Sequence, residues 1–165
     1  MDPPWAAEDQ QKMACNVSDD DFGGEQYEDL SYSDLDVFPE FILERSSEIK
    51  HLQIDHNRIS ILPRCIGQFN NLVSLDISHN QMTYLSGEIG QLSSLRCLTA
   101  KHNLFDNEAL PKELDQLVSL QSINLSGNQL TEFPMQLTEL RNLKCIHLGA
   151  NVIDHVPREI VNLQR

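Results

Sequence analysis

The feature that most constrains this chain is a repeat. The stretch from Leu120 to Asn142, LQSINLSGNQLTEFPMQLTELRN, sets Leu120, Ile123, Leu125, Leu130, Phe133, Leu137 and Leu140 around a lone Asn128. The same spacing returns in four further copies. One runs from Ile49 through Leu52, Ile54, Asn57, Ile59, Leu62, Pro63 and Ile66 to Phe69, and the next has Leu72, Leu75, Ile77, Asn80, Met82, Leu85, Ile89 and Leu92, with Ser86 in the proline slot. Another has Leu95, Leu98, Ala100, Asn103 and Phe105, then an offset before Leu110, Pro111, Leu114 and Leu117. The last has Leu143, Ile146, Leu148, Asn151, Ile153, Val156, Pro157, Ile160 and Leu163. Starts at 49, 72, 95, 120 and 143 give periods of 23, 23, 25 and 23, so a two-residue insertion lies near Asp106 to Ala109. Self-similarity at such a period sets the architecture before local propensity is weighed.

Each anchor has a physical reason. The L-x-L core alternates, which predicts a short strand with its leucines inward and its intervening residues outward. One strand and its return loop cannot bury an apolar face alone, but neighbours stacked at ~4.8 Å share a parallel sheet and a continuous leucine core. The asparagine stands where the chain leaves the strand, and its amide can satisfy backbone groups of adjoining turns; leaving those groups unpaired would cost ~1–3 kcal/mol per site. The prolines hold the preceding residue extended and steer the return limb away from a long helix. The pattern is that of a leucine-rich repeat. The expected fold is an α/β solenoid, a leucine-rich repeat horseshoe with a short-stranded parallel sheet on its concave face.

Charge divides the chain. Residues 1–45 carry 13 acids and 2 bases, or −11, and 46–165 carry 12 acids and 10 bases, or −2, which together make the net −13. Residues 1–26 combine Pro3, Pro4, Gly23 and Gly24 with an acidic run and few apolar residues, the composition of a disordered acidic tail. Within it Ser18 precedes Asp19, Asp20 and Asp21, a pattern that suits an acidophilic kinase and equally a plain solvated tail. Residues 27–48 read as an N-terminal cap or degenerate repeat: Leu30, Ser33 in the asparagine slot, Leu35, Phe38, Pro39 and Ile42, with Phe38, Phe41 and Ile42 or Leu43 covering the first core. Residues 49–165 are the array of five repeats. It is expected to lack a C-terminal cap, because the fifth copy reaches its final rung at Leu163, and self-association through that uncapped edge is one way to close it.

No apolar run exceeds three residues and the start is acidic, so neither a signal peptide nor a membrane span is expected. A phosphate backbone would be repelled, which argues against nucleic acid. Cys15, Cys65, Cys97 and Cys145 are scattered. Cys97 and Cys145 share a column two repeats apart, ~10 Å by strand spacing and beyond the ~7 Å reach of a disulfide. Reduced thiols in a cytoplasmic protein are the expectation. Asn16-Val17-Ser18 and Asn124-Leu125-Ser126 match the glycosylation pattern and are read as coincidental without a secretory signal.

The outward strand positions supply the candidate partner-binding residues: His51, Gln53, Asp55 and His56; Ser74, Asp76, Ser78 and His79; Thr99, Lys101 and His102; Asn124; and His147. Asp55, Asp76 and Lys101 bring charge to the central columns. His56, His79 and His102 share one column, but zinc needs ligands that converge on a point and a linear ladder spreads them, so no metal or other cofactor is expected. His51, Asp76 and Ser78 resemble a hydrolase set, yet an open sheet excludes little water and offers no oxyanion hole. The expectation is a protein that is not an enzyme.

The 23-residue form with L-P-x-x-I-x-x-L in its return limb resembles the intracellular leucine-rich-repeat family with Shoc-2-like repeats, over about residues 49–165. A narrower resemblance, to one branch, rests on LSYSDLDVF, on LRCLTAKHN with the insertion ahead of ALPKEL, and on LKCIHLGANVI. The resemblance implies a protein-binding module, an adaptor or scaffold, or a substrate-recognition subunit. A purely structural piece of a longer solenoid is the competing reading.

Overall fold

The computed structural model describes residues 26–164. The acidic tail up to residue 25, the Ser18 motif, Asn16 and Cys15 lie outside the described residues, as does the side chain of Leu163. Six three-residue strands, β1 (Tyr27–Asp29), β2 (His51–Gln53), β3 (Ser74–Asp76), β4 (Cys97–Thr99), β5 (Ser122–Asn124) and β6 (Cys145–His147), form one parallel sheet in chain order. Each strand pairs in register with the next, so that Leu52, Leu75, Leu98, Ile123 and Ile146 make one row. Those from Leu52 to Ile123 are at most 1% exposed. Alternation along a strand puts these residues inside and His51, Ser74, Cys97, Ser122 and Cys145 outside.

All the return limbs are 3₁₀ turns: Glu40–Arg45, Arg64–Gln68, Gly87–Gln91, Lys112–Gln116, Met135–Glu139 and Arg158–Gln164. Pro39, Pro63, Pro111 and Pro134 stand in extended geometry just before four of them, and Ser86 does so for a fifth. A limb of about five residues is too short to repay the cost of nucleating an α-helix, so it tightens into 3₁₀ bonds.

The asparagine column ties rung to rung. Asn103 Oδ1 accepts from Met82 N–H at 3.0 Å, and its Nδ2 donates to Ile77 C=O at 3.0 Å, both on the preceding rung. Asn57, Asn80, Asn128 and Asn151 repeat this arrangement. Backbone groups that the narrow turn would strand are thereby satisfied.

The degenerate N-terminal segment contributes β1, a sixth strand that five full repeats did not foretell. Its central residue is Glu28, in register with Leu52. Among the described residues the central row ends there on a carboxylate, and Arg45, from the same rung's return limb, meets Glu28 Oε2 at 2.9 Å. Phe38 and Ile42 are buried, and the Phe38 ring packs edge-on to Phe69 at 6.2 Å. Phe41, expected to help cover the core, is 67% exposed: a 3₁₀ turn that buries Ile42 must direct its neighbour outward. At the other end Ile146, Leu148, Ile153 and Ile160 are only partly buried and Val156 is exposed.

The two-residue insertion forms a turn in which Ala109 N–H donates to Asp106 C=O and Glu108 N–H to Asp106 Oδ1. It is pinned on both sides. Leu85 N–H donates to Ala109 C=O, while Asn107 Oδ1 accepts from the N–H groups of Thr131 and Glu132.

Candidate functional site

Strand register gathers seven of the thirteen expected partner residues, His51, Gln53, Ser74, Asp76, Thr99, Asn124 and His147, on one side of the sheet. One column runs His51, Ser74, Cys97, Ser122, Cys145; the next runs Gln53, Asp76, Thr99, Asn124, His147. β1 extends them by Tyr27 and Asp29, which the sequence reading omitted because Glu28 hides the strand signal. Asp55, Ser78, Lys101 and then His56, His79, His102 follow where each chain leaves its strand.

Two of these positions also shape the backbone. Asp76 Oδ1 and Asn124 Oδ1 accept from the N–H two residues on, at Ser78 and Ser126, and Asp29 does the same for Ser31. Such side-chain bonds turn the chain out of the strand. Nor are the outward positions uniformly solvated. His51, Asp55, Ser78 and Ser122 are buried, as is Cys97. Asp55 is enclosed by partners, accepting from Ser31 Oγ at 2.6 Å and lying 2.7 Å from His56 Nδ1. A carboxylate can only accept, so the His56 proton is on Nδ1.

Immediately beyond, the backbone turns left-handed in every rung: φ is 55° at Tyr32, 54° at His56, 50° at His79, 52° at His102, 69° at Gly127 and 53° at Ala150. Equal backbone geometry in registered strands stacks the side chains. Ring centroids lie 4.2 Å apart for Tyr32–His56, 4.1 Å for His56–His79 and 4.5 Å for His79–His102. The stack ends on Gly127. A Cβ there would lie 2.5 Å from His102 Nδ1, so glycine serves both the positive φ and the ring above it. Parallel imidazoles aim their nitrogens side by side and do not converge on a metal.

Charge is graded along this face. Burial, then His56, His102 and Lys101, holds His79 down to about 4 against the pull of Asp55, so its ring is neutral at pH 7. Burial raises the Asp76 carboxyl, partly opposed by Ser78 and Lys101. Burial, with Asp29, Asp55 and Asp76, pushes the Tyr27 phenol up to about 12. The first three rungs are thus acidic, while Gly127, Gly149 and Ala150 leave the far end bare.

In the hydrolase-like set, the strand neighbour of His51 is Ser74 and not Asp76. Cys65 and Cys145 carry free thiols, but Cys97 is disulfide-bonded, which corrects the expectation of a reduced thiol there. Among the described residues no helix is long and apolar enough to cross a membrane.

Known proteins place this geometry in a family. Family models described as leucine-rich repeat match residues 47–105 and 119–140. No curated protein matches the chain. Among solved structures, it is similar to a leucine-rich repeat protein of Leptospira interrogans, at 31% identity and TM-score 0.54 over 79% of this chain and 44% of that one. A protein described as a TDR receptor shares 29% identity, with TM-score 0.73 over 83% of this chain and 24% of that one. An internalin of Listeria monocytogenes, at 19% identity, shares the fold with TM-score 0.66 over 77% of this chain and 35% of that one. The chain therefore spans less than half the length of each of these structures. Repeat spacing, parallel ladder, asparagine bonds and these matches together show the leucine-rich repeat fold in this chain.

Proposed function

We propose that the chain is a non-catalytic protein-binding module, an adaptor or scaffold that engages its partner through the concave face. The observation that carries this reading is a contrast between columns. Inward rungs repeat Leu52, Leu75 and Leu98, whereas the outward column in the same strands runs Gln53, Asp76, Thr99, Asn124, His147 without repeating. Fold stability needs the first pattern and has no use for the variety of the second. Asp76 and Lys101 give this surface its charge, and the stacked Tyr32, His56, His79 and His102 rings give it an aromatic stripe. A net charge of −13 favours a protein over a nucleic-acid partner.

The stretches LSYSDLDVF, LRCLTAKHN and LKCIHLGANVI support a closer likeness to leucine-rich repeat-containing protein 58, and with it a role as substrate-recognition subunit of a ubiquitin ligase. A second occupant is favoured by the β6 rung, where Ile146 and Leu148 are only partly buried: self-association would cover them. Proximity labelling in cells tests the main reading. A partner set lost on the double change Asp76→Lys, Lys101→Glu supports it, and an unchanged set in a folded variant refutes it. A concentration-dependent dimer by sizing supports self-association, and a monomer throughout refutes it.

A further inference from the structure

We propose that the pocket beside the two-residue insertion is a docking point for one long cationic side chain, an arginine or lysine presented by a basic segment of a protein partner. The pocket is lined by Asn107 and Leu110 from the insertion and by Leu130, Glu132, Phe133, Pro134, Met135 and Gln136 from the following rung. No strand residue contributes, so this site is separate from the concave columns. It exists because β4's return limb bulges by two residues and β5's does not follow, leaving a gap between them.

The gap is built rather than incidental. Asn107 is fixed by three hydrogen bonds to the next rung, through Thr131 N–H, Glu132 N–H and Thr131 Oγ1, and Gln136 Nε2 donates to Leu110 C=O at 2.8 Å. Its walls therefore stand ready without a partner, which lowers the ordering cost of binding. Its volume of about 240 Å³ falls short of the roughly 300–1,000 Å³ of small-molecule sites, so it fits a side chain and not a nucleotide or cofactor.

The lining chooses the chemistry. Leu110, Leu130 and Phe133 are buried and form an apolar floor, and Met135, 46% exposed, is an adaptable wall. Glu132 is the sole charged lining residue, and Asp106 and Glu108 flank Asn107 in the exposed turn. Lys112 and Arg158 precede and follow on the adjacent limbs, but neither lines the pocket. An aliphatic stem on the floor with its cationic head at Glu132 satisfies both features at once. A purely apolar side chain would desolvate Glu132 with nothing in return, and an acidic one would be repelled.

The test is an NMR titration of the full chain with N-acetyl-arginine amide and, in parallel, N-acetyl-citrulline amide, which keeps the shape and removes the charge. The expected result is a saturable shift of the Met135 ε-methyl and the Leu110 and Leu130 δ-methyls with the arginine probe. Citrulline should bind at least ~3-fold more weakly, and Glu132→Gln should weaken the arginine probe by a similar factor. Equal binding of the two probes, an unaffected Glu132→Gln variant, or shifts centred on the strands would each overturn the proposal. The exposed position of Glu132 keeps that variant folded, and none of these readouts depends on the concave face.

Discussion

Replacing Gly127 by alanine separates backbone strain from side-chain stacking at the end of the ring column. Gly127 has φ +69°, and an alanine there adopts a left-handed backbone at about 1 kcal/mol. Ala150 already holds φ 53° one rung on, beside a glycine that places no ring over it, so the conformation alone is tolerable. What differs at 127 is the imidazole: the new Cβ would lie 2.5 Å from His102 Nδ1 and 2.7 Å from its Cε1. His102 is exposed and can swing away, at the expense of its stack on His79, worth about 0.5–1.5 kcal/mol. Gly127→Ala should therefore cost about 1.5–2.5 kcal/mol in urea unfolding at pH 7. With His102→Ala already in place the clash is gone, and the same change should cost only about 1 kcal/mol. A double-mutant cycle reads the difference directly. Equal costs in both backgrounds would refute the account of the column.

Leu98→Ala or Leu125→Ala should destabilise by about 2–5 kcal/mol, since both side chains are at most 1% exposed in a close-packed row; a loss under about 1 kcal/mol in denaturant melts would mean that the register is misassigned. Acidification should weaken the fold. His79, held down to about 4 from 6.5, leaves the unfolded chain to take up the proton first, so its contribution is intact above pH 6.5 and is lost as pH falls towards 4. After solvent screening this amounts to about 1 kcal/mol, and His79→Asn, which also accepts a left-handed backbone, should flatten that part of the profile. Asp76 acts in the opposite sense: its raised carboxyl takes up a proton first in the folded state, so Asp76→Asn should stabilise the protein at pH 7, and an unchanged melting temperature would show that its burial carries no penalty.

The inward rungs and the asparagine column were legible from spacing alone, because each repeats one chemical demand: Leu52, Leu75 and Leu98 share a row, and Asn57 to Asn151 each tie to the rung before. β1 was harder to read as a strand, since a solenoid end must replace its central leucine with a polar group, here Glu28 held by Arg45. Spacing puts Phe41 and Ile42 side by side but does not say which one the short turn buries. At the candidate site the columns were visible and their environments were not. The burial of Asp55 depends on Ser31 from the degenerate rung, and the closeness of the ring stack depends on the shared positive φ, neither of which a residue pattern records. Tyr32 could have been added to the histidine column, because it precedes Ser33 as His56 precedes Asn57. The pocket is a product of packing that spacing does not record: the two-residue offset marks its position, and only the pinned Asn107 shows that the insertion holds a fixed gap open.

The most direct measurement of the central claim is site-specific photo-crosslinking in cells, with a benzophenone amino acid placed in turn at Thr99, on the outward column of β4, and at Glu139, exposed on a return limb. Binding through the concave face predicts a discrete crosslinked partner from position 99 that disappears with Asp76→Lys, Lys101→Glu, and none from position 139. The same partner captured from position 139 and not from 99 would contradict it.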